Sequence, residues 1–310
     1  MVLVPVTSGN VEAYVAFLFE ESDADGREYM ATVDVRGFVL KRGRDRFYLE
    51  DGAPAASLTV SRTPRADGSL VVSVSITPRG GRAEALLACL GAFLDGEEKT
   101  GPAVRRYQLA GPPDLALPEA ELGALGFVKK PGRCKYVRDP GLPRQGEFPG
   151  AEKALTAGYA IRELIPAMAA AEPALFAALA DLHNRAFAHH PGVTPRDEAA
   201  MRERLTAPGG GALLAVRDGA VTGYLHYTPM SREVLVGEIA SLRRHWGTGS
   251  VDLLSRHVTA LVARRWGLPI VGYVDATNAP SRAAMERAGL RHAADYPVWE
   301  YAVEAGRPIA

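Results

Sequence analysis

The sequence has few cysteines, no excess of either charge and no long apolar run. Only Cys89 and Cys134 occur among its 310 residues, so neither a disulfide framework nor a metal site is expected, and both side chains are predicted to be buried. Lysine and arginine number 36, as do aspartate and glutamate, so charge does not indicate nucleic acid or a membrane as a partner. No run is long enough to cross a bilayer, and Met1–Pro5 lacks the basic start of a secretory signal. A soluble, cytoplasmic protein is expected.

The sequence is rich in alanine, glycine, arginine and proline, a composition that indicates a bacterial genome rich in G and C. Its length is sufficient for two domains of ordinary size. In the first half, short apolar runs between turn residues predict strands, among them Phe38–Lys41 and Leu70–Ile76. After Ile76 the spacing of apolar residues becomes helical.

Residues 232–267 have the pattern of an anion site. The apolar run Val234–Ile239 predicts a buried strand, and apolar residues recur at helical spacing from Val251 to Trp266. Gly247 and Gly249, between the two, let a backbone approach an anion closely. The first amides of a helix have no partner within it, and the helix dipole adds partial positive charge there. The stretch therefore predicts a cradle for a diphosphate.

The glycines of this cradle do not fit the two commonest phosphate motifs. No Gly-Lys-Ser/Thr follows, as a nucleotide hydrolase loop requires, and Asp252 stands where a dinucleotide fingerprint has its third glycine. What remains is the pattern Arg-x-x-Gly-x-Gly at 244–249. A tight turn without a ligand is the alternative interpretation of this pattern alone.

A second motif follows another predicted strand, Ile270–Val274. Asn278 is suited to cap a helix, Pro280 to occupy its first turn, and Gly289 to adopt the left-handed conformation that ends it. The two motifs, in this order, resemble those of the GNAT N-acetyltransferases. The resemblance covers the C-terminal half of the chain.

The resemblance implies an α/β fold with a mixed, mostly antiparallel sheet flanked by helices, and acetyl-CoA as the cofactor. In that family, two strands corresponding to Val234–Ile239 and Ile270–Val274 diverge and receive the pantetheine arm. The backbone from Ile239 to Leu242 would then bind pantetheine and the acyl oxygen, and the loop from Arg244 to Gly249 the pyrophosphate. The cofactor-binding residues implied are Ile239, Ala240, Ser241, Leu242, Arg243, Arg244, His245, Trp246, Gly247, Thr248, Gly249, Ser250, Asn278, Ser281, Arg282 and Met285.

The order of elements in the second half repeats that of the first. Ile239, at the end of a predicted strand, lies 163 residues after Ile76, which also ends a strand. Gly289, at the end of a short helix, lies 163 residues after Gly126, which ends the matching helix. The equal offsets indicate an internal duplication. The predicted domains are residues 1–139, a linker rich in proline and glycine at 140–157, and residues 158–310. The first copy is expected to have lost its cofactor site, because the glycine positions of the cradle are occupied there by Glu84 and Leu86.

The catalytic groups are less clearly indicated. Family members use a tyrosine as the acid that protonates the thiolate, and Met285 stands at that position; a thioether has no proton to give. Tyr273 and Tyr296 are substitutes by residue type, although the pattern favours a structural aromatic at each position, and water is a further alternative. Glu238 is the candidate base, with a solvent-facing or arginine-paired carboxylate as the alternative interpretation.

Five residues are candidates for contacting the acceptor. His189 and His190 occupy a loop where this fold meets its acceptor, with exposed loop histidines as the alternative. His226 and Tyr227 end a strand, and Asp275 could hold a cationic amine. His245 and Trp246 could flank the nucleotide, although Trp246 could equally anchor the core.

These features predict an acyl-CoA-dependent, most specifically acetyl-CoA-dependent, N-acyltransferase acting on a primary amine of a small molecule or peptide. Acetyl transfer of the mycothiol-synthase type is an alternative within the same class, since that enzyme has a similar duplicated architecture. A non-catalytic acyl-CoA-binding protein is the alternative from another class. A monomer or homodimer is expected, with no nucleic acid, membrane or metal involved.

Overall fold

The computed structural model describes residues 2–22, 27, 30–31, 34–41, 46–50, 53–64, 69–97, 105–110, 117–164, 172–188, 193, 195–206 and 210–303. The chain divides into two compact units, residues 1–133 with 294–310 and residues 134–293. These units differ from the domain boundaries expected from the sequence, because the C-terminal strand pairs with a strand of the first unit.

The first unit contains a sheet in the order β1-β2-β3-β4-β5-β12, in which β4 and β5 are parallel. Its elements are β1 (Val2–Pro5), α1 (Val11–Glu21), α2 (Val35–Lys41), β2 (Arg46–Glu50), β3 (Pro54–Pro64), β4 (Leu70–Pro78), α3 (Ala83–Glu97), β5 (Arg105–Ala110), α4 (Glu119–Ala124) and residues 294–303 of β12. The strand predicted at Phe38–Lys41 is wrong, since these residues belong to α2. Val35 and Val39, one helical turn apart, pack with Val11 and Tyr14 of α1, and so short an apolar run does not distinguish helix from strand.

The second unit contains a sheet in the order β6-β11-β10-β9-β8-β7, in which β10 and β11 are parallel. Its elements are β6 (Val128–Arg138, from residue 134), α5 (Pro149–Thr156), β7 (Tyr159–Leu164), α6 (Pro173–Ala186), α7 (Glu198–Leu205), β8 (Gly211–Arg217), β9 (Ala220–Pro229), β10 (Val234–Ser241), α8 (Ser250–Arg265), β11 (Ile270–Asp275), α9 (Ala279–Arg287) and the start of β12 (Arg291–Val303). From β7 onward the elements follow the predicted order, and the predicted mixed sheet flanked by helices is confirmed.

The sheet of the second unit is covered on both faces. Phe176, Leu179 and Met201 of α6 and α7 pack with Leu214 and Tyr224 on one face. On the other, Ala151 and Ala154 of α5 and Leu254 and Val258 of α8 share a core with Leu225. None of the helices in the described ranges combines the length and apolarity needed to span a bilayer. Cys89 and Cys134 are both buried, as predicted, and no disulfide joins them.

Candidate functional site

The central feature of the second unit is a β-bulge at Gly237. The register of β10 against β9 shifts between Val236 and Glu238, so Gly237 is an extra residue in β10. The parallel pairing with β11 ends at the same place, with Val236 opposite Gly272, although β10 continues to Ser241. A bulge bends its strand and increases the local twist. The two strands therefore separate after Gly237, and the β10 edge that faced β11 is left without a strand partner in the described residues.

The corresponding strands of the first unit do not separate within the described residues. There, β4 and β5 stay paired from Leu70–Arg105 to Ser75–Ala110, and the pairing of β3 with β4 has no register shift. Glu84 is exposed in the first turn of α3, and Leu86 is buried in the core. The two residues that occupy the glycine positions of the cradle in the first copy therefore lie within helix α3.

The loop between β10 and α8 contains two left-handed glycines with different surroundings. Gly247 has φ 73° and Gly249 has φ 87°. A Cβ on Gly247 would meet nothing within 4 Å, whereas a Cβ on Gly249 would lie 1.9 Å from the carbonyl oxygen of Gly150 in α5. We therefore correct one expectation: the space beside Gly249 is occupied by a neighbouring helix, and only Gly247 faces an opening.

Helix α5 packs directly against this loop, in the segment expected to be a linker. The Gly150 amide donates to Oδ2 of Asp252, 3.0 Å away in the first turn of α8. Lys153 Nζ donates to the carbonyl oxygen of Gly247 over 2.7 Å. Lys153 therefore adds a positive charge to the loop. Sequence reasoning missed it, because its partner is 94 residues away along the chain.

The loop residues between β10 and Gly247 combine exposed cations with an aromatic ring. Arg243 and Arg244 are exposed, and Arg244 Nε donates to His245 Nε2 over 3.1 Å. His245 Nδ1 lies 2.6 Å from the Tyr159 hydroxyl, and burial, then the charges of Arg244 and Arg217, lower the pKa of His245. With Nε2 accepting, the neutral ring carries its proton on Nδ1.

Trp246 lies on the surface and is not a core anchor. It is 64% exposed, its Nε1 donates to the carbonyl oxygen of Ser241 over 3.1 Å, and the Arg243 guanidinium lies 6.0 Å from its ring centre. Two other predicted cofactor residues, one in β10 and one directly after it, point inward. Ala240 and Leu242 are buried in the core under α6 and α7, so they offer backbone groups only.

The second motif forms the helix start and end predicted for it. Asn278 caps α9 by accepting from the Ser281 amide at 3.1 Å, Pro280 lies in the first turn, and Gly289 has φ 75°. Arg282 Nε donates to the Tyr136 hydroxyl over 3.2 Å. The terminal carbon of Met285 lies 2.9 Å from the place that a Cβ on Gly272 would occupy, so Met285 packs where β10 and β11 separate.

Glu238 is the centre of a partly buried ion-pair cluster. Arg196 donates two hydrogen bonds to it, 2.6 and 2.8 Å long, and Arg204 Nη2 lies 3.2 Å from the same carboxylate. Burial alone would raise the pKa of Glu238, but the Arg196 hydrogen bonds and the charges of both arginines outweigh burial and lower the pKa to about 2. A carboxylate with so low a pKa is a weak base near neutral pH. We therefore revise the expectation that Glu238 is the general base, in favour of the arginine-paired alternative.

Two further side chains complete the cluster. Tyr224 donates its hydroxyl proton to Glu238 over 3.1 Å, and His183 Nδ1 lies 2.8 Å from the Tyr224 oxygen. Since the hydroxyl proton is used, His183 Nδ1 carries the proton of this second bond. Burial, then the charge of Glu238, raise the pKa of Tyr224. No local signal in the sequence indicates these partners, because they come from three separate elements.

His226 lies opposite Glu238 on β9 and is only 6% exposed. Neither ring nitrogen has a hydrogen-bond partner in the described part of the chain. Burial, then the charge of Arg204, lower the pKa of His226 to about 4, although the backbone of Arg204 favours its protonated form. A Cβ on Gly237 would lie 3.0 Å from His226 Nδ1 and 3.5 Å from Arg204 Nη2. The ring and the guanidinium therefore pack against the bulge glycine, and little room is left there for a side chain.

Tyr227 does not join His226, because successive side chains of a strand point to opposite faces. It packs in the core under α8, and its hydroxyl donates to Glu163 over 2.9 Å. Burial, then the bond to Glu163, raise the pKa of Tyr227. This placement replaces the expectation that Tyr227 contacts the acceptor with a structural role.

The remaining candidates are placed as follows. Asp275 is exposed and accepts from the amide and hydroxyl of Thr277 in a tight turn. Tyr273 is half-buried on β11, directly after Gly272, and stays a prediction for the acid, whereas Tyr296 belongs to the first unit. His189 and His190 lie outside the described residues.

No family model matches the sequence, and no curated protein matches it. Among solved structures, a tandem GNAT protein from the clavulanic acid biosynthesis pathway matches with a TM-score of 0.66 at 17% identity, over 98% of each chain. A GCN5-related N-acetyltransferase from Sphaerobacter thermophilus has a TM-score of 0.59 at 19% identity, over 99% of this chain and 96% of its own. The C-terminal domain of a putative lysylphosphatidylglycerol synthetase from Agrobacterium fabrum has a TM-score of 0.51 at 12% identity, over 94% and 92%. At these identities the likeness shows the fold.

Proposed function

We propose that this chain, whose fold is that of the tandem GNAT acetyltransferases, binds one acetyl-CoA in its second unit and transfers the acetyl group to a primary amine of a small molecule or peptide. The observation that carries the proposal is the bulge at Gly237 with the separation of β10 from β11. It leaves one edge of β10 without a strand partner in the described residues, beside a loop with left-handed glycines, and the backbone groups of a strand edge need hydrogen-bond partners.

The residues around the loop fit a diphosphate. An anion is favoured by the opening beside Gly247, by first-turn amides of α8 that have no partner within the helix, and by the helix dipole. Arg244 and Lys153 supply positive charge, and Trp246 offers an exposed ring to the nucleotide. Asp252, in the same turn, is the one unfavourable charge, but its carboxylate accepts from the Gly150 amide. Asn278, Ser281 and Arg282 stay proposals for the other side of the cleft.

Acetyl-CoA supplies an activated thioester carbonyl when bound. The unpaired β10 edge from Ile239 to Ser241 would orient it, and amides of this edge would hydrogen-bond the acyl oxygen. Glu238 takes no part as a base in this proposal, so the amine loses its proton to solvent before it attacks. Met285 donates no proton, and a leaving thiol with a pKa of about 8.5 departs near neutral pH without a dedicated acid.

A non-catalytic acyl-CoA-binding protein is the second candidate, and a specific observation favours it. Glu238 is too weak a base near neutral pH, and Met285, which occupies the position of the family's tyrosine acid, has no proton to give. Acetyl transfer of the mycothiol-synthase type needs an acceptor that no residue pattern here identifies.

The test combines calorimetry with a thiol-release assay. Acetyl-CoA should bind once per chain, and release of CoA should require an amine from a panel of amino acids, aminoglycosides and peptides. Two equivalent sites would contradict the proposed single cleft. Tight binding without CoA release would favour the binding protein, and no binding would overturn both candidates.

A further inference from the structure

His245 is the histidine of the candidate cofactor loop, and both of its ring nitrogens have defined partners. Nδ1 lies 2.6 Å from the hydroxyl of Tyr159, a buried side chain of β7 that meets the imidazole edge to face. Nε2 accepts from Nε of Arg244, which is 3.1 Å away on the exposed side of the loop. The ring is therefore held from inside by Tyr159, whereas the partner of Nε2 is an exposed side chain that can turn towards a ligand.

The charges nearest to this pair in β8 and the loop are mainly cationic. Burial is the largest cause that lowers the pKa of His245, and the charges of Arg244 and Arg217 add to it. The Arg217 guanidinium lies 5.3 Å from the ring centre of Tyr159. Asp218 pairs with Arg217 over 3.4 Å, but that carboxylate is 88% exposed, so solvent screens much of its effect. His245 is therefore neutral near pH 7.

The two helices beside the loop contribute one charge of each sign. Lys153 on α5 donates to the carbonyl oxygen of Gly247. Asp252, in the first turn of α8, accepts from the Gly150 amide. In the described part of the chain, no carboxylate pairs with His245, whose side-chain partners are a phenol and a guanidinium. A protonated imidazole therefore gains no counter-charge from the protein, and a bound anion would supply one.

A diphosphate at this loop reverses the balance of charge around the imidazole. An opposite charge within about 4–6 Å favours the protonated form. The guanidinium of Arg244 forms a stronger bond with a phosphate oxygen than with a neutral ring, because hydrogen bonds between ions are about twice as strong as neutral ones. Once Arg244 turns to the phosphate, the lone pair of Nε2 is available to a proton from solvent. The Nδ1–H bond to Tyr159 stays as it is, so the ring does not have to move.

We propose that acetyl-CoA binding is coupled to the uptake of one proton by His245, with the diphosphate replacing Nε2 of His245 as the partner of Arg244. Tyr159 is a positioning residue in this coupling, since it accepts from Nδ1–H and leaves Nε2 to take the proton. The inference rests on the proposed function, because it adds a dependence on pH to the same cofactor loop.

The coupling fixes the direction of the pH dependence. Proton and cofactor strengthen each other's binding by the same factor. The pKa of His245 is higher in the complex than before binding, so the gain in affinity is complete below the lower pKa and is lost as the pH rises through the higher one. Acetyl-CoA should bind about threefold to tenfold more tightly at pH 6 than at pH 8.

Calorimetry in two phosphate-free buffers of different ionisation enthalpy counts the protons taken up. The probe is 3′-dephospho-acetyl-CoA, because its diphosphate does not ionise near neutral pH, whereas a phosphate monoester has a second pKa of about 6. The parent should take up part of a proton for each molecule bound, and most between the two pKa values of His245. Acetyl-CoA is titrated in parallel, and for it the difference between the parent and His245→Gln gives the uptake by His245.

Three variants identify the group responsible. His245→Gln keeps a polar side chain without a basic nitrogen and should abolish the uptake. Tyr159→Phe removes the acceptor of Nδ1–H and should reduce it. His257→Gln is the matched control, because His257 is a half-buried histidine within α8 whose Nδ1 lies 2.9 Å from the Leu253 carbonyl oxygen. It should leave the uptake unchanged. Thermal unfolding of each variant confirms that the chain is folded.

The imidazole NMR signal of His245 gives a second readout in the unaltered chain. Saturation with the probe should raise the pKa of His245 and leave that of His257 unchanged. Binding without proton uptake, or an uptake that survives His245→Gln, would overturn the inference and leave the proposed function intact. No binding of acetyl-CoA or of its dephospho form would overturn both.

Discussion

At the scale of single residues, the ion-pair cluster of Glu238 concentrates partly buried charge in the second unit. Its carboxylate is 18% exposed and is bound by two arginines and a tyrosine. Removing one partner of a buried pair leaves the other charge uncompensated, which costs more than the pair itself contributes. His226, beside it, remains neutral because burial and Arg204 oppose its protonation.

Glu238→Gln should destabilise the chain by about 3 kcal/mol, the lower end of the range for buried pairs. Two arginines would lose their counter-charge at once. Urea unfolding at pH 7 measures the loss. Asp181→Asn is the matched control, because its 63% exposed i,i+4 pair with Arg185 should contribute no more than about 0.5 kcal/mol. Equal losses in the two variants would contradict this account of the cluster.

His226 should make stability decrease as the pH falls. The pKa of His226 is about 4 in the folded chain against the usual 6.5, so below pH 6.5 the unfolded chain binds the proton first. The stability from the neutral ring is fully present above pH 6.5 and is lost towards pH 4, by up to about 3 kcal/mol.

The measurement is the free energy of unfolding across this pH range for the parent and for His226→Gln. Subtracting the two isolates His226 from His245, whose pKa is lowered as well. Glu238 contributes in a different window, since its stabilisation is complete above pH 4.5 and lost only as the pH falls towards 2. Identical slopes between pH 6.5 and 4.5 would show that His226 titrates normally.

At the scale of elements, the contact of α5 with the loop before α8 links packing to the candidate cofactor site. Gly150 and Gly249 approach so closely that a Cβ on either would collide with the other chain segment. Two hydrogen bonds cross this contact, and α5 donates both: the Gly150 amide to Asp252 and Lys153 Nζ to the Gly247 carbonyl oxygen. Helix α5 therefore supports the loop from behind while Lys153 brings charge to it.

Gly247→Ala and Gly249→Ala form a matched pair, since both glycines are left-handed. Gly247→Ala should cost only the conformational penalty, about 1–2 kcal/mol. Gly249→Ala adds an overlap with the Gly150 backbone, worth about another 1–3 kcal/mol, and should displace α5. Urea unfolding gives the stabilities, and acetyl-CoA calorimetry shows whether the displaced helix weakens binding. Equal costs would mean that the two helices do not touch at Gly249.

Lys153→Gln should weaken acetyl-CoA binding about threefold to tenfold, by up to 1.4 kcal/mol, with little change in stability because Lys153 is exposed. The loss should shrink at high salt, where charges are screened. Lys135→Gln is the control, because Lys135 pairs with Glu233 at the opposite end of β10. Unaltered acetyl-CoA affinity in Lys153→Gln would mean that α5 contributes no charge to acetyl-CoA binding.

At the scale of the whole molecule, the two units share a strand order but differ at one point. In each, the central strand pairs antiparallel on one side and parallel on the other, as β3-β4-β5 and β9-β10-β11. Of the two central strands, only β10 has a register shift against its antiparallel neighbour, and β10 leaves β11 after that shift, whereas β4 and β5 stay paired within the described residues. The extra residue Gly237 thus marks the difference between strands that separate and strands that stay paired.

Hydrogen exchange should show this difference directly. Acetyl-CoA should slow amide exchange at Ile239–Ser241 and in the loop at 243–252, because those amides gain partners on binding. The amides of β4 and β5 should exchange at unchanged rates, which makes the first unit the internal control. Protection of β4 or the start of α3 would mean that the first copy retains a cofactor site.

The sequence by itself determined the features that depend on neighbouring residues. The element order from β7 to β12, the α9 cap at Asn278 and the left-handed Gly289 all follow from periodicity and from backbone preferences within a few residues. The run Phe38–Lys41 is too short for such a prediction, since four residues contain too little periodicity to separate helix from strand. Tertiary structure alone decided the partners of Glu238, the approach of Gly150 to Gly249, and the unit to which β12 belongs. Those contacts join residues tens to hundreds of positions apart, and their energies depend on burial and geometry that no local pattern records.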